Sequence, residues 1–179
     1  MNVGTLRKQF RLWLEHNAFR VLDPNMPVGK LSPPEHSTIH RLLEVITDDT
    51  TIPAGECRAF VNEKTHTTPG ALDAYRRAAH LLDESSHRHA GMSFSMLNIE
   101  QGDALLHRLF IAYPHAERLP RWAHWAHLSP RTSSLLLEVG AFRLLRHHVL
   151  PELLSWYYTT ERGWAAIGWT DYPGKTRGD

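Results

Sequence analysis

Leu31-Ser32-Pro33-Pro34-Glu35, running on through His36-Ser37-Thr38-Ile39-His40-Arg41-Leu42-Leu43-Glu44-Val45-Ile46-Thr47, is the stretch that decides the fold. Ser32 supplies an N-cap hydroxyl. Pro33 stands at the first helical position, where the N–H it lacks is one the helix could not use. Glu35 is placed to reach back to the cap, so the stretch reads as a capping box with an N-terminal proline. Ile39, Leu42, Leu43 and Ile46 then recur at helical spacing and form one apolar face. No window of the 179 residues alternates cleanly over more than four positions, so the reading is helices with little or no sheet.

The same pattern recurs outward from that helix. Thr47 to Gly55, with two aspartates, three threonines and Pro53, breaks it, and a short helical segment is expected around Ala59-Phe60-Val61. Thr68-Pro69 opens a helix with Leu72, Tyr75, Ala79 and Leu82 on one face and Gly91 as its stop. Asn98 with Gln101 caps the next, which carries Leu105, Leu106, Leu109 and Phe110. Pro114 and Pro120 bound a connector, and a short helix from Trp122 to Leu128 ends at Ser129-Pro130. The longest helix runs from about Ser133 to Tyr158 with Leu136, Val139, Leu144 or Leu145, and Val149 inward. Pro151 predicts a kink in it, because the His147 carbonyl loses its donor. Near the start, Leu6, Phe10, Trp13 and Leu14 fall on one face of an amphipathic helix, with Arg7, Lys8 and Arg11 between them. The expected architecture is all-α: a single irregular domain of about five to six helices with an extended aromatic C-terminal tail. Residues 1–30 form an N-terminal helix and linker, 31–158 the helical body, and 159–179 the tail.

Composition narrows the function classes. Hydrophobic content of 42% and charged content of 22% are globular values. A net charge of +1, with no basic stripe, argues against a nucleic-acid partner. A single cysteine, Cys57, excludes an internal disulfide framework and is read as a buried thiol. No segment reaches the ~20 apolar residues of a membrane span. Met1 to Phe19 lacks a continuous apolar run and a twin arginine, so a cytoplasmic location is expected.

Thirteen histidines invite a search for catalysis or metal binding. Trp122-Ala123-His124-Trp125-Ala126-His127 places two tryptophans and two histidines in paired stripes on a helix. His124 and His127 are candidate metal ligands if a third group converges, with His115 and Glu117 nearest in sequence. His147 and His148 are candidate general bases. Adjacent helical residues point about 100° apart, so both cannot face one site. His87-x-His89 flanks a helix end. No His-Glu-x-x-His, Gly-x-Ser-x-Gly or Gly-x-Gly-x-x-Gly pattern is present.

The C-terminal end favours binding over chemistry. Trp156, Tyr157, Tyr158, Trp164, Trp169 and Tyr172 place six large rings in seventeen residues, punctuated by glycines. Such rings bury much area with few rotors and keep a polar handle. Together with Trp13, Trp122 and Trp125 they are the candidate partner-binding residues. A self-folded C-terminal clasp is the alternative for the tail.

Several of these pieces occur in the order found in a known family. Leu31-Ser32-Pro33-Pro34-Glu35 resembles its leucine–threonine–proline–x–glutamate helix start. Tyr75-Arg76 through Leu82-Asp83, then Gly91-Met92-Ser93-Phe94, resembles its tyrosine-headed helix and Gly-x-Ser-Phe turn. Leu97 to Leu106, Arg146-His147-His148-Val149-Leu150, and the Gly163-Trp164…Ile167-Gly168…Tyr172-Pro173-Gly174 ending follow. Over roughly residues 31–174 the chain resembles the gluconate 2-dehydrogenase subunit 3 family, the small subunits of FAD-dependent sugar and polyol dehydrogenases. The resemblance implies a non-catalytic accessory subunit. Such a subunit binds and stabilises a glucose–methanol–choline (GMC)-type large subunit, assists its folding or flavin loading, and leaves FAD and the sugar CH–OH chemistry to that partner in a heterodimer. From the residues alone, an independent His-rich helical metal-binding protein or metalloenzyme and a homo-oligomeric helical scaffold remain as alternatives.

Overall fold

Ser32, extended at φ −68° and ψ 159°, caps helix α1 (Pro33–Thr47): Glu35 N–H donates to its hydroxyl, and its own N–H donates to Glu35 Oε2 at 2.6 Å. The computed structural model describes residue 22, residues 25–113 and residues 130–168, with the backbone alone for 130–136. The expected N-terminal helix, the connector after Pro114, the Trp122–Leu128 helix and residues 169–179 of the tail lie outside the described residues. The apolar face of α1 is internal as its spacing predicts, with Ile39, Leu42 and Leu43 at 0% exposure and Ile46 half-buried.

Helix α2 (Ala54–Thr67) is longer than the segment expected around Phe60. It buries only Cys57, Val61 and Thr65, one residue per turn, so its core-facing stripe is too narrow to stand out in the sequence. Helix α3 (Ala71–Ala90) starts after Gly70 and stops at Gly91, which takes the left-handed conformation at φ 72° as a helix-ending glycine does. It is the central element, packing on α1, α2, α5 and the segment that follows α5. A 3₁₀ turn, Phe94–Met96, buries Phe94. Asp83 ties this region together: one oxygen accepts the Phe94 N–H at 2.9 Å and the other the Thr38 hydroxyl at 3.0 Å. Helix α4 (Ile99–Ala112) opens on the second capping box, Asn98 with Gln101, and packs on α1 with Gly102 against Val45.

The last rod comprises α5 (Pro130–Leu144), a π-helical segment (Leu145–Val149) and α6 (Leu150–Tyr157), followed by the short α7 (Glu161–Ala166). Among the described residues there is no strand, and the all-α reading holds. Before Pro151 the chain keeps helical dihedrals and widens into a π turn, itself a usual place for a helix to bend. One detail differs from expectation: part of the tail read as extended, 161–166, is helical. The core gathers where α1, α3 and the last rod meet, around Tyr75, Phe142, Leu145, Val149, Leu153 and Tyr157, each at most 2% exposed. Each such side chain contributes roughly 1.5–3 kcal/mol by leaving water.

Candidate partner-binding face

The C-terminal arm begins at its proline. A proline inside an α-helix removes one hydrogen bond and drives its ring into the carbonyl four residues back. Here the preceding residues adopt i→i+5 bonding, with the Leu150 N–H donating to the Leu145 carbonyl, so Pro151 becomes the second residue of a restarted α-helix. That position tolerates proline, because the first-turn N–H groups need no partner within the helix. The apolar side of the arm is anchored through Leu145, Val149 and Leu153, all at 0% exposure.

Polar tethers then fix its orientation. The Tyr75 hydroxyl, on a fully buried side chain, donates to Glu152 Oε2 at 3.1 Å and joins α3 to α6. Burial, then the Glu152 carboxylate, pushes the Tyr75 phenol well above its ordinary value, so it remains a donor. The Tyr157 hydroxyl donates to Asp49 Oδ2 at 3.0 Å, and Arg162 lies 3.8 Å from the same oxygen. Burial and this bond push the Tyr157 phenol up to about 12. For Asp49, partial burial acts to raise its pKa but is outweighed by two hydrogen bonds from Thr51, the Tyr157 hydroxyl and Arg162. Its carboxyl is held below the usual value. One carboxylate in the α1–α2 loop thus gathers both ends of the α6–α7 corner. The corner itself is closed by Thr160, whose hydroxyl accepts the Gly163 N–H at 3.2 Å and donates to the Tyr157 carbonyl at 2.6 Å.

With the arm so held, its large rings divide. Tyr157 is turned inward at 2% exposure and belongs to the core. Trp156 is half-buried and stacks on Phe60 of α2, centroids 5.1 Å apart and planes 15° from parallel, with the Lys64 ammonium 5.7 Å from the Phe60 ring centre. Tyr158 is 41% exposed and meets Tyr157 edge-on at 5.3 Å. Trp164 is half-buried on α7, and Ile167 just beyond is 54% exposed. Trp13, Trp122, Trp125, Trp169 and Tyr172 lie outside the described residues, as do His124 and His127.

Both candidate bases lie on the π segment. His147 is exposed. His148 is half-buried, and its Nε2 atom is enclosed with no hydrogen-bond partner. Burial lowers the His148 pKa below 6.5, with Glu152 opposing and His147 adding to the effect, so the neutral imidazole is favoured. No substrate-sized cleft among those described is lined by either histidine. Among the described residues no group of three or more His, Cys, Asp or Glu side chains is gathered to hold a metal ion, and Cys57 is a buried free thiol as expected. Burial, then the charge of Glu44, raises its pKa to about 12, so it stays protonated.

The sequence reading missed Asp49, Glu152 and Phe60 as the groups that hold the arm. Asp49 and Tyr157 are 108 residues apart, Tyr75 and Glu152 77 apart, and no local pattern links such pairs. It also passed over a cleft between α3 and α5 lined by His80, Asp83, Glu84, His87, Arg88 and Glu138. His80, Glu84 and His87 stand at i, i+4 and i+7, the signal that would have found it. No protein-family model, no curated protein and no solved structure matches this chain.

Proposed function

We propose that this chain is the accessory small subunit of an FAD-dependent GMC-type oxidoreductase acting on sugar or polyol CH–OH groups, and that it works by binding the large subunit. The observation that carries the reading is that Trp156, Tyr158, Trp164 and Ile167 stay half-buried or exposed on an arm otherwise tied down by Tyr75–Glu152 and Asp49–Tyr157. Large rings carried on a preorganised arm lose little conformational freedom on binding and are the residue types of interface hot spots. The ordered resemblance to the gluconate 2-dehydrogenase subunit 3 family supplies the class of partner. FAD belongs to that partner in this reading, since every regular element described here is helical and dinucleotide crevices are built at the ends of strands. Binding only the folded large subunit stabilises it by mass action, which is how a non-catalytic chain assists folding and flavin loading. No helix among the described residues is long and apolar enough to cross a membrane.

The test is co-expression with a GMC-type flavoprotein of the same genome, read by solution mass and flavin absorbance. The reading expects a yellow heterodimer, with Trp164→Ala weakening assembly about tenfold or more while this chain stays folded. A colourless monomer that ignores the flavoprotein overturns it, and elemental analysis of that monomer then decides the metal-binding alternative.

A further inference from the structure

Between the C-terminal halves of α3 and α4 lies a cavity of about 300 Å³, at the small end of the range for ligand pockets. Its apolar lining is Leu105 and Leu109, both buried, and the exposed Ala112. Its rim carries Arg88 and His89 from α3, Arg108 from α4, and Tyr113. No carboxylate lines it among the described residues, but Glu138 of the neighbouring cleft accepts from two of its rim residues, the Tyr113 hydroxyl at 2.7 Å and Arg88 at 3.4 Å.

Arg88, His89 and Arg108 are all exposed, and among the described residues no side-chain hydrogen bond or ion pair holds Arg108 or His89. Arg88 reaches the Glu84 carbonyl and Glu138 Oε1, both at 3.4 Å. Charge-assisted N–H···O bonds usually close to about 2.7–2.9 Å, so the guanidinium retains donors for a better acceptor. Arg88 and His89 stand in the last turn of α3, where the helix dipole favours cations. Arg108 lies on another helix, before its last turn, and has no such reason to be there.

We propose that this cavity is a binding site for a small organic oxyanion, a carboxylate or phosphate on a short apolar stub. The oxyanion would be held by Arg108 and Arg88 with His89 at the rim, and the stub would lie on Leu105 and Leu109. The site stands apart from the aromatic face and does not depend on how that face is used.

Inorganic phosphate and butyrate, each titrated at constant ionic strength and followed by calorimetry and backbone NMR shifts, test it. Expected is saturable one-to-one binding of at least one probe with shifts centred on residues 85–89 and 105–113. Arg108→Gln should weaken it about tenfold, and His89→Asn should weaken it less. Tighter phosphate binding identifies a phosphate ester as the ligand class; tighter butyrate binding identifies a carboxylate with an apolar tail. Arg58→Gln, an exposed charge on α2 outside the cavity, should change nothing. No saturable binding of either probe overturns the proposal, and so does equal weakening by Arg58→Gln, which would reduce the effect to net charge.

Discussion

Gly163→Ala is the sharpest test of how the arm is built, because helix propensity and packing predict opposite signs. Gly163 lies within α7, where replacing glycine by alanine ordinarily gains about 0.5–1 kcal/mol. A Cβ at this position, however, would stand 2.8 Å from the Tyr157 carbonyl carbon and 2.9 Å from the Tyr158 Cα, and nearer still to the Tyr157 carbonyl oxygen. Ordinary contacts begin at about 3.4 Å, and all three atoms are backbone, so no side-chain rotation relieves the overlap. Helix α7 must move by roughly half an ångström or more, an overpacking strain of about 1–3 kcal/mol. The movement also breaks the Thr160 cap on the Gly163 N–H, worth about 1 kcal/mol. Set against the propensity gain, the net loss is about 1–3 kcal/mol.

Gly55→Ala is the control. It is the same change in a helix, at an exposed site where an added Cβ meets nothing within 4 Å, and it should stabilise slightly. Urea unfolding followed by far-UV circular dichroism gives both signs. Hydrogen exchange at the Trp164 amide, which donates to the Thr160 carbonyl at 3.2 Å, reports the corner directly. Gly163→Ala at or above wild-type stability, with unaltered protection at Trp164, would refute the close packing of α7 on the end of α6.

Other outcomes follow from the tethers and the buried imidazoles. Tyr75→Phe should lower the unfolding free energy by about 1–2 kcal/mol in urea titrations, the low end for a bond to a charged acceptor, because half-exposed Glu152 can turn to water; no change would mean the tether is not formed in solution. The His36 and His148 pKa values are both lowered from 6.5, chiefly by burial. The unfolded chain therefore takes up protons first as pH falls, and their contribution, complete above 6.5, is lost below it. Thermal midpoints should drop through this range, and His148→Gln should make the drop shallower; a flat profile contradicts the enclosed imidazoles. Asp49 adds a second acid loss as pH falls below 3.8, since its folded pKa is depressed from that value and its hydrogen bonds need the carboxylate, and Asp49→Asn should remove that step.

What was legible in the sequence was what is decided locally. The Ser32/Glu35 and Asn98/Gln101 boxes and the Gly91 stop each involve residues a turn apart, and each is found where its chemistry puts it. The faces of α1 and α3 were legible because they are broad, and α2 was half-lost because one buried residue per turn leaves little periodicity. The candidate face was legible as composition but not as geometry. Nothing around Trp156-Tyr157-Tyr158 says that the middle ring turns inward to Asp49 or that Trp156 finds Phe60, since both partners come from distant turns of chain. The π segment was invisible for another reason: proline declares the lost donor, but which way the ladder readjusts depends on what Leu145 and Val149 pack against.

That π turn ties the proline to the length of the rod. A π turn holds one residue more than the α-helical turn it replaces, so removing one position between Leu145 and Val149 would keep everything beyond it in phase but leave Pro151 inside a continuous α-helix, its ring against the carbonyl four residues back. The same deletion within α6 would rotate the residues after it by about 100° and exchange the inward ring for an outward one. In related chains a rod one residue shorter at this seam is therefore expected to lack the proline as well, with the spacing from position 151 to Tyr157 kept constant on its far side.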